Sequence, residues 1–169
     1  MIPVYQRYYS WDIEQCRRLW NDIVDMQKKH KQGHFVGSIV NIAEQAMPTG
    51  VQKYMTIDGQ QRMTTLTLLL IALRDYAINH PEDTSINSRR IDNMLLKNEY
   101  ENGDERYKLL LTETDRDILV NLVEDKPIPE DTNSRLLANH KFFCDQIATK
   151  ELSPAEVYES IGKLQIVNI

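Results

Sequence analysis

The segment Gln60–Asn79 constrains the fold more than any other. It contains the longest strongly apolar run, Leu66 to Leu73, and it begins directly after Asp58-Gly59. At helical spacing Leu66, Leu69, Leu70, Leu73, Tyr76 and Ala77 share one face, and Met63, Leu68 and Ile71 widen it. So broad an apolar surface must be surrounded by other elements, which predicts a helix at the centre of the core. The run is too short to span a bilayer, and the first residues lack the charged-then-apolar layout of a signal peptide. Cys16 and Cys144 stand far apart without a CxxC pair, which argues against a disulfide framework or a zinc site and fits a reducing cytoplasm.

The remaining pattern is a mixture of helices and short strands. Ser10 reads as the N-cap of a helix from Trp11 to Lys31, with Ile13, Cys16, Trp20, Ile23 and Val24 on one stripe and Gly33 as its stop. His34 to Ala43 is rich in Val and Ile and reads as a strand, with Gly37 leaving room for a close approach. Val51 to Ile57 alternates and should pair with it as an antiparallel hairpin across Met47-Pro48-Thr49-Gly50. Beyond Pro81 the chain is mainly helical: Arg89 to Lys97, Glu113 to Glu124 after Thr112, and Ser134 to Thr149, with a strand-like Tyr107 to Leu111 between them. Lys126 to Asp131 is a proline-bearing loop, and Ser153-Pro154-Ala155-Glu156 combines an N-cap, a first-turn proline and a capping-box glutamate for a helix ending near Gly162. Leu164 to Ile169 alternates like the start of a strand. Its abrupt end, like the abrupt Ile2-Pro3-Val4, is expected of a piece of a longer protein.

The chain has 169 residues, 41% of them hydrophobic, enough for one good core or two small lobes. Its 20 Lys and Arg against 25 Asp and Glu give a net charge of −5. There is no general basic field for DNA, so any contact with nucleic acid must be local.

Chemistry concentrates at the junction of the second strand and the central helix. Strand, Asp58-Gly59 and helix place Gln60, Gln61 and Arg62 in the first helical turn, where backbone N–H groups and the helix dipole favour an anion. Arg62 can add two parallel hydrogen bonds to phosphate oxygens, Gly59 permits close backbone approach, and the amides of Gln60 and Gln61 both donate and accept. Asp58 could hold a magnesium ion or activate water. The same residues also make an ordinary turn, with Asp58 as N-cap and Arg62 in a surface ion pair. A capping carboxylate would compete with a phosphate, so Asp58 must turn away or the phosphate must rest mainly on Arg62. The cluster Tyr5-Gln6-Arg7-Tyr8-Tyr9-Ser10-Trp11 sets aromatic rings beside a cation, a combination that can stack a base and hold its phosphates, although Tyr9 and Trp11 suit a core role as well. Gly37 and Ser38 offer a backbone and a hydroxyl contact. His30, His34, His80 and His140 are scattered, and no Ser-His-Asp set, HExxH, Walker loop or GxGxxG occurs.

Three ordered motifs carry a resemblance: Ile2 to Trp11, Phe35-Val36-Gly37-Ser38-Ile39, and Ile57-Asp58-Gly59-Gln60-Gln61-Arg62-Met63-Thr64-Thr65-Leu66. Together they resemble the N-terminal domain of the GmrSD-type restriction endonuclease family, and the likeness continues more weakly through Tyr107–Thr112 and Asp115-Arg116-Asp117. The resemblance implies an α+β fold: a ParB/sulfiredoxin-like core with a small, mostly antiparallel sheet over residues 1–80, then a helical extension over 81–169 ending in a truncated strand, or the two as one continuous domain. It implies binding and Mg²⁺-dependent hydrolysis of a nucleoside triphosphate, coupled to restriction of modified, often phage, DNA by the full-length protein and a downstream nuclease. On that mapping Asp58, Gln60, Gln61 and Arg62 are catalytic, with Asp58 the metal ligand, and Tyr5, Gln6, Arg7, Gly37, Ser38 and Gly59 bind the nucleotide. Two other readings stay open: a DNA-sensing or partner-docking module without turnover, and a DNA-nicking domain.

Overall fold

A computed structural model describes residues 8–45 and 48–169. The elements run α1 (Ile13–Lys28), β1 (His34–Ala43), β2 (Tyr54–Asp58), α2 (Gln60–Asn79), α3 (Ser88–Ile91), α4 (Glu113–Val123), α5 (Arg135–Thr149), α6 (Pro154–Gly162) and β3 (Leu164–Asn168). A π-helical turn, Asp92–Leu96, follows α3 directly.

The architecture is α+β, with the sheet ordered β2-β1-β3. β1 and β2 form the expected antiparallel hairpin, whereas β3 lies parallel to β1 on its other side, so the sheet is mixed rather than mostly antiparallel. A parallel partner has to arrive by a long crossover. Here the helices between β2 and β3 supply it, a long-range pairing that alternation within Leu164–Ile169 does not reveal. Register breaks on both sides of β1. Val36 is the extra residue opposite β3, and Ile57 of β2 is passed over between the pairs Val40↔Asp58 and Asn41↔Thr56. Such bulges bend a strand and re-aim side chains; the first adjoins Gly37 and the second lies two residues before Gly59.

Helix α2 is central. Leu68, Leu69, Ile71, Ala72 and Leu73 are buried on several sides of it, and they join Trp20 and Ile23 of α1 with Leu136, Phe143 and Ile147 of α5 in one core. Thr64 and Thr65 are buried too; their hydroxyls donate back to the carbonyls of Gln60 and Gln61, both at 2.8 Å, so neither polar group is stranded. Arg74 is 1% exposed among these apolar neighbours. Its guanidinium donates to the carbonyls of Leu122 and Val123 at the end of α4 and pairs with Asp75 at 2.9 Å and Asp92 at 2.8 Å.

Several local expectations need correction. Helix α1 is capped by Asp12, not Ser10: Asp12 accepts from Glu14 N while Gln15 returns a bond to the Asp12 N–H, and the helix ends at Lys28. Ser10 is held elsewhere, by Gln61. β2 begins at Tyr54 rather than Val51. Tyr107–Leu111 forms no strand; an isolated bridge from Tyr107 to Lys97 is its only pairing among the described residues. Thr112 stands at the N-cap of α4 without a side-chain cap bond. The α6 reading holds in full, with Ser153 and Glu156 forming the capping box around Pro154. Among the described residues no helix is long and apolar enough to cross a membrane.

Candidate functional site

The turn between β2 and α2 is built on a backbone that only glycine adopts easily. Gly59 is the N-cap of α2 at φ +91°, and a Cβ there would stand 2.9 Å from Ile39 Cγ1 and 3.1 Å from the Ser38 carbonyl oxygen. The turn is thereby pressed onto β1. Asp58 Oδ1 accepts the Gly59 N–H at 2.9 Å, and α2 has neither a side-chain cap nor an acidic residue in its first turn. Asp58 is thus held at the turn by the N-cap N–H and makes no side-chain cap bond to the first turn of the 20-residue helix.

Arg62, one turn in, reaches back across β1. Gly37 lies at φ +124°, and a Cβ on it would come within 2.6 Å of Arg62 Cζ, so the guanidinium fills the space a side chain would need. Arg62 Nη1 donates to the Ser38 carbonyl at 3.1 Å. Ser38 thus serves Arg62 through its main chain. Among the described residues Arg62 forms no ion pair, in contrast to Arg74, whose charge is met by two carboxylates.

These groups open on a cleft of about 560 Å³. Asp58, Gly59, Gln60, Gln61 and Arg62 of the β2–α2 junction and Gly37 and Ser38 of β1 line it. Trp11, Phe35 and Ile57 add apolar groups to the lining. Phe35 is 58% exposed and Ile57 39%, so both present apolar surface to solvent within the cleft. The site therefore combines a cation and a helix start with side chains that can receive a flat or apolar group.

The two glutamines are already engaged by protein atoms. Gln60 Nε2 donates to the Thr56 carbonyl at 2.7 Å, tying the first helical turn to β2. Gln61 Oε1 accepts the N–H groups of Ser10 at 2.7 Å and Trp11 at 3.1 Å, and its Nε2 donates to the Tyr8 carbonyl at 3.1 Å. Gln61 is thus the clamp that sets the Trp11 wall of the cleft. Tyr5, Gln6 and Arg7, expected to line the same pocket, lie outside the described residues. Phe35 and Ile57 were missed as site residues; an aromatic two positions before a strand glycine and an apolar residue before Asp-Gly were the available signals. His34 instead pairs with Asp22 at 3.3 Å.

No three His, Cys, Asp or Glu residues among those described are grouped to hold a metal ion. A divalent cation at Asp58 would accordingly have to share its coordination with a ligand's own oxygens, as Mg²⁺ commonly does with phosphates.

A search of curated proteins found no match. The profile of the family described as GmrSD restriction endonuclease, N-terminal domain, matches residues 1–169. The chain belongs to that family, a domain of restriction endonucleases.

Proposed function

We propose that the cleft binds a nucleoside triphosphate and that the domain is a nucleotide-hydrolysing regulatory part of a DNA-restricting, phage-defence protein. One observation carries this reading: a guanidinium with no carboxylate partner among the described residues is seated on Gly37 in the lining of a cleft, beside the start of α2. A terminal phosphate there receives bidentate hydrogen bonds from Arg62 and the dipole of α2. Phe35 and Trp11 line the same cleft and supply rings on which a base can rest.

In hydrolysis a water oxygen attacks the γ-phosphorus, the bond to the bridging oxygen breaks with its electron pair leaving on the nucleoside diphosphate, and the water's proton passes to a phosphate oxygen. Asp58, exposed at the cleft with Oδ1 accepting the Gly59 N–H, orients that water, and it would be the residue to hold a Mg²⁺ ion. The ion would offset charge on the phosphate oxygens. Arg62 stabilises the negative charge that moves outward as the bond breaks. Gln60 and Gln61 act by holding the turn and the Trp11 wall.

Family membership favours DNA as the substrate of the whole protein and a nuclease module as its working partner. The cleft holding a DNA backbone phosphate without turnover is the second reading, and the net charge of −5 weighs against it. A thermal-shift panel of ATP, GTP, CTP and UTP, each with and without Mg²⁺, separates the two. A nucleotide at a hundred times its Kd should raise Tm by about 5–10 °C for a chain of this size. No shift with any of the four, together with DNA binding that falls steeply with salt, would reject nucleotide binding in favour of phosphate docking.

A further inference from the structure

The wall of the cleft that carries Trp11 has an unusual attachment. Tyr8–Trp11 belongs to no helix or strand and makes no backbone–backbone hydrogen bond among the described residues. Side chains hold it instead. Besides Gln61, Asp115 of α4 accepts the Tyr9 N–H at 2.8 Å, Arg135 of α5 donates to the Ser10 carbonyl at 2.6 Å, and Asn139 of α5 donates to the Trp11 carbonyl at 2.9 Å. The position of this wall is therefore set by a few side chains, most of them far along the chain.

Asn139 stands out among them because it is 1% exposed, and burying an amide is costly unless its bonds are made. Its Nδ2 serves both the Trp11 carbonyl and the Tyr9 hydroxyl, the latter at 2.8 Å, while its Oδ1 has no partner among the described residues. A carbonyl can only accept, so Trp11 fixes which end of the amide faces it. The same logic fixes the rest. Thr65 Oγ1 donates to the Gln61 carbonyl, so it must accept from the Tyr9 hydroxyl, 2.7 Å away, and Tyr9 in turn accepts from Asn139. A one-way chain of hydrogen bonds thus runs from Asn139 through Tyr9 and Thr65 to the carbonyl of Gln61, in the first turn of α2.

We propose that Asn139, Tyr9 and Thr65 are positioning residues for the cleft: this buried relay fixes the Trp11 wall and the Gln61 turn relative to each other. The effect on ligand rests on the nucleotide reading above; the placement of Trp11 does not. The chain contains two tryptophans, Trp11 and the buried Trp20, so a Trp20→Phe background makes Trp11 the sole indole reporter. In that background Tyr9→Phe, Thr65→Val and Asn139→Ala should each increase acrylamide quenching of Trp11, with far-UV circular dichroism unchanged. Thr65→Ser, which keeps the hydroxyl, should restore the parent quenching. Val157→Ala, a core truncation in α6, should lower Tm without changing Trp11 quenching. On the nucleotide that the parent binds, loss of one relay bond should weaken affinity about three- to tenfold. Quenching of Trp11 that is unchanged in Tyr9→Phe and Thr65→Val, or raised equally by Val157→Ala, overturns the proposal. If the parent binds no nucleotide the functional reading fails, and the quenching series alone decides the role of the relay.

Discussion

Arg62 occupies the place of a side chain on residue 37. Its guanidinium carbon lies 2.6 Å from where a Cβ on Gly37 would be, and its Nη1 bonds the next carbonyl, that of Ser38, at 3.1 Å. Strand and helix are thereby locked by a glycine and an arginine separated by the whole hairpin. The identity of one dictates the geometry of the other.

Gly37→Ala should therefore damage the site more than the fold. The end of Arg62 is flexible and can move aside, so the stability cost comes mainly from placing alanine at φ +124°, on the order of 1–3 kcal/mol. The displaced guanidinium should lose nucleotide. Once Arg62→Ala has been made, adding Gly37→Ala should cost little further affinity, a non-additivity that a double-mutant cycle measures. Fully additive losses would show that the two residues act separately.

Arg74→Met tests the buried charge of α2. It leaves Asp75 only His140 and Asp92 only a distant Lys97 among the described residues, removes the guanidinium donor from the last carbonyls of α4, and should cost about 3 kcal/mol in urea unfolding. A loss below about 1 kcal/mol, the range of an exposed pair, would contradict this role.

His140 gives the stability a pH dependence. Burial disfavours its charged form, but hydrogen bonding to Asp75 at 3.0 Å and to Cys144 outweighs that and raises its pKa from 6.5 to about 9. The folded pKa is the higher one, so this contribution is complete below pH 6.5 and is lost as pH rises through about 9. Urea midpoints measured across that window should fall for the parent and fall less for His140→Gln. Equal slopes would mean that another group is responsible.

Asp12→Ala should destabilise α1 by about 1 kcal/mol, the usual value of an N-cap, whereas Ser10→Ala should not act as a cap loss. Chemical denaturation of both variants distinguishes the two positions. Equal effects would contradict the assignment.

How much of this was legible in the sequence follows from how local each cause is. α2 was readable to its ends because its apolar residues exceed a single face and Gly59 precedes it, and β1 and the α6 capping box were readable for similarly local reasons. Asp12 was missed because Ser10 and Asp12 are both good caps, and the choice depended on Gln61, some 50 positions away, engaging Ser10. Tyr107–Leu111 has strand composition but finds no partner beyond one bridge, and pairing is what makes a strand. At the site, Asp58 to Arg62 announced itself through the Asp-Gly turn before a helix. The engagement of Gln61 with Tyr8–Trp11, the burial of Asn139 and the pairing of Arg74 depend on contacts between distant elements, which no local pattern encodes.

The central claim is that Arg62 on Gly37 receives the phosphates of a nucleotide. Isothermal titration of the parent chain and of Arg62→Ala with the best nucleotide of the four, in Mg²⁺, tests it most directly. The account predicts saturable one-site binding by the parent and at least about a tenfold loss in the variant, since a charge-assisted hydrogen bond contributes about 1.5–3 kcal/mol. Equal affinity in the two proteins, with both folded, would contradict it.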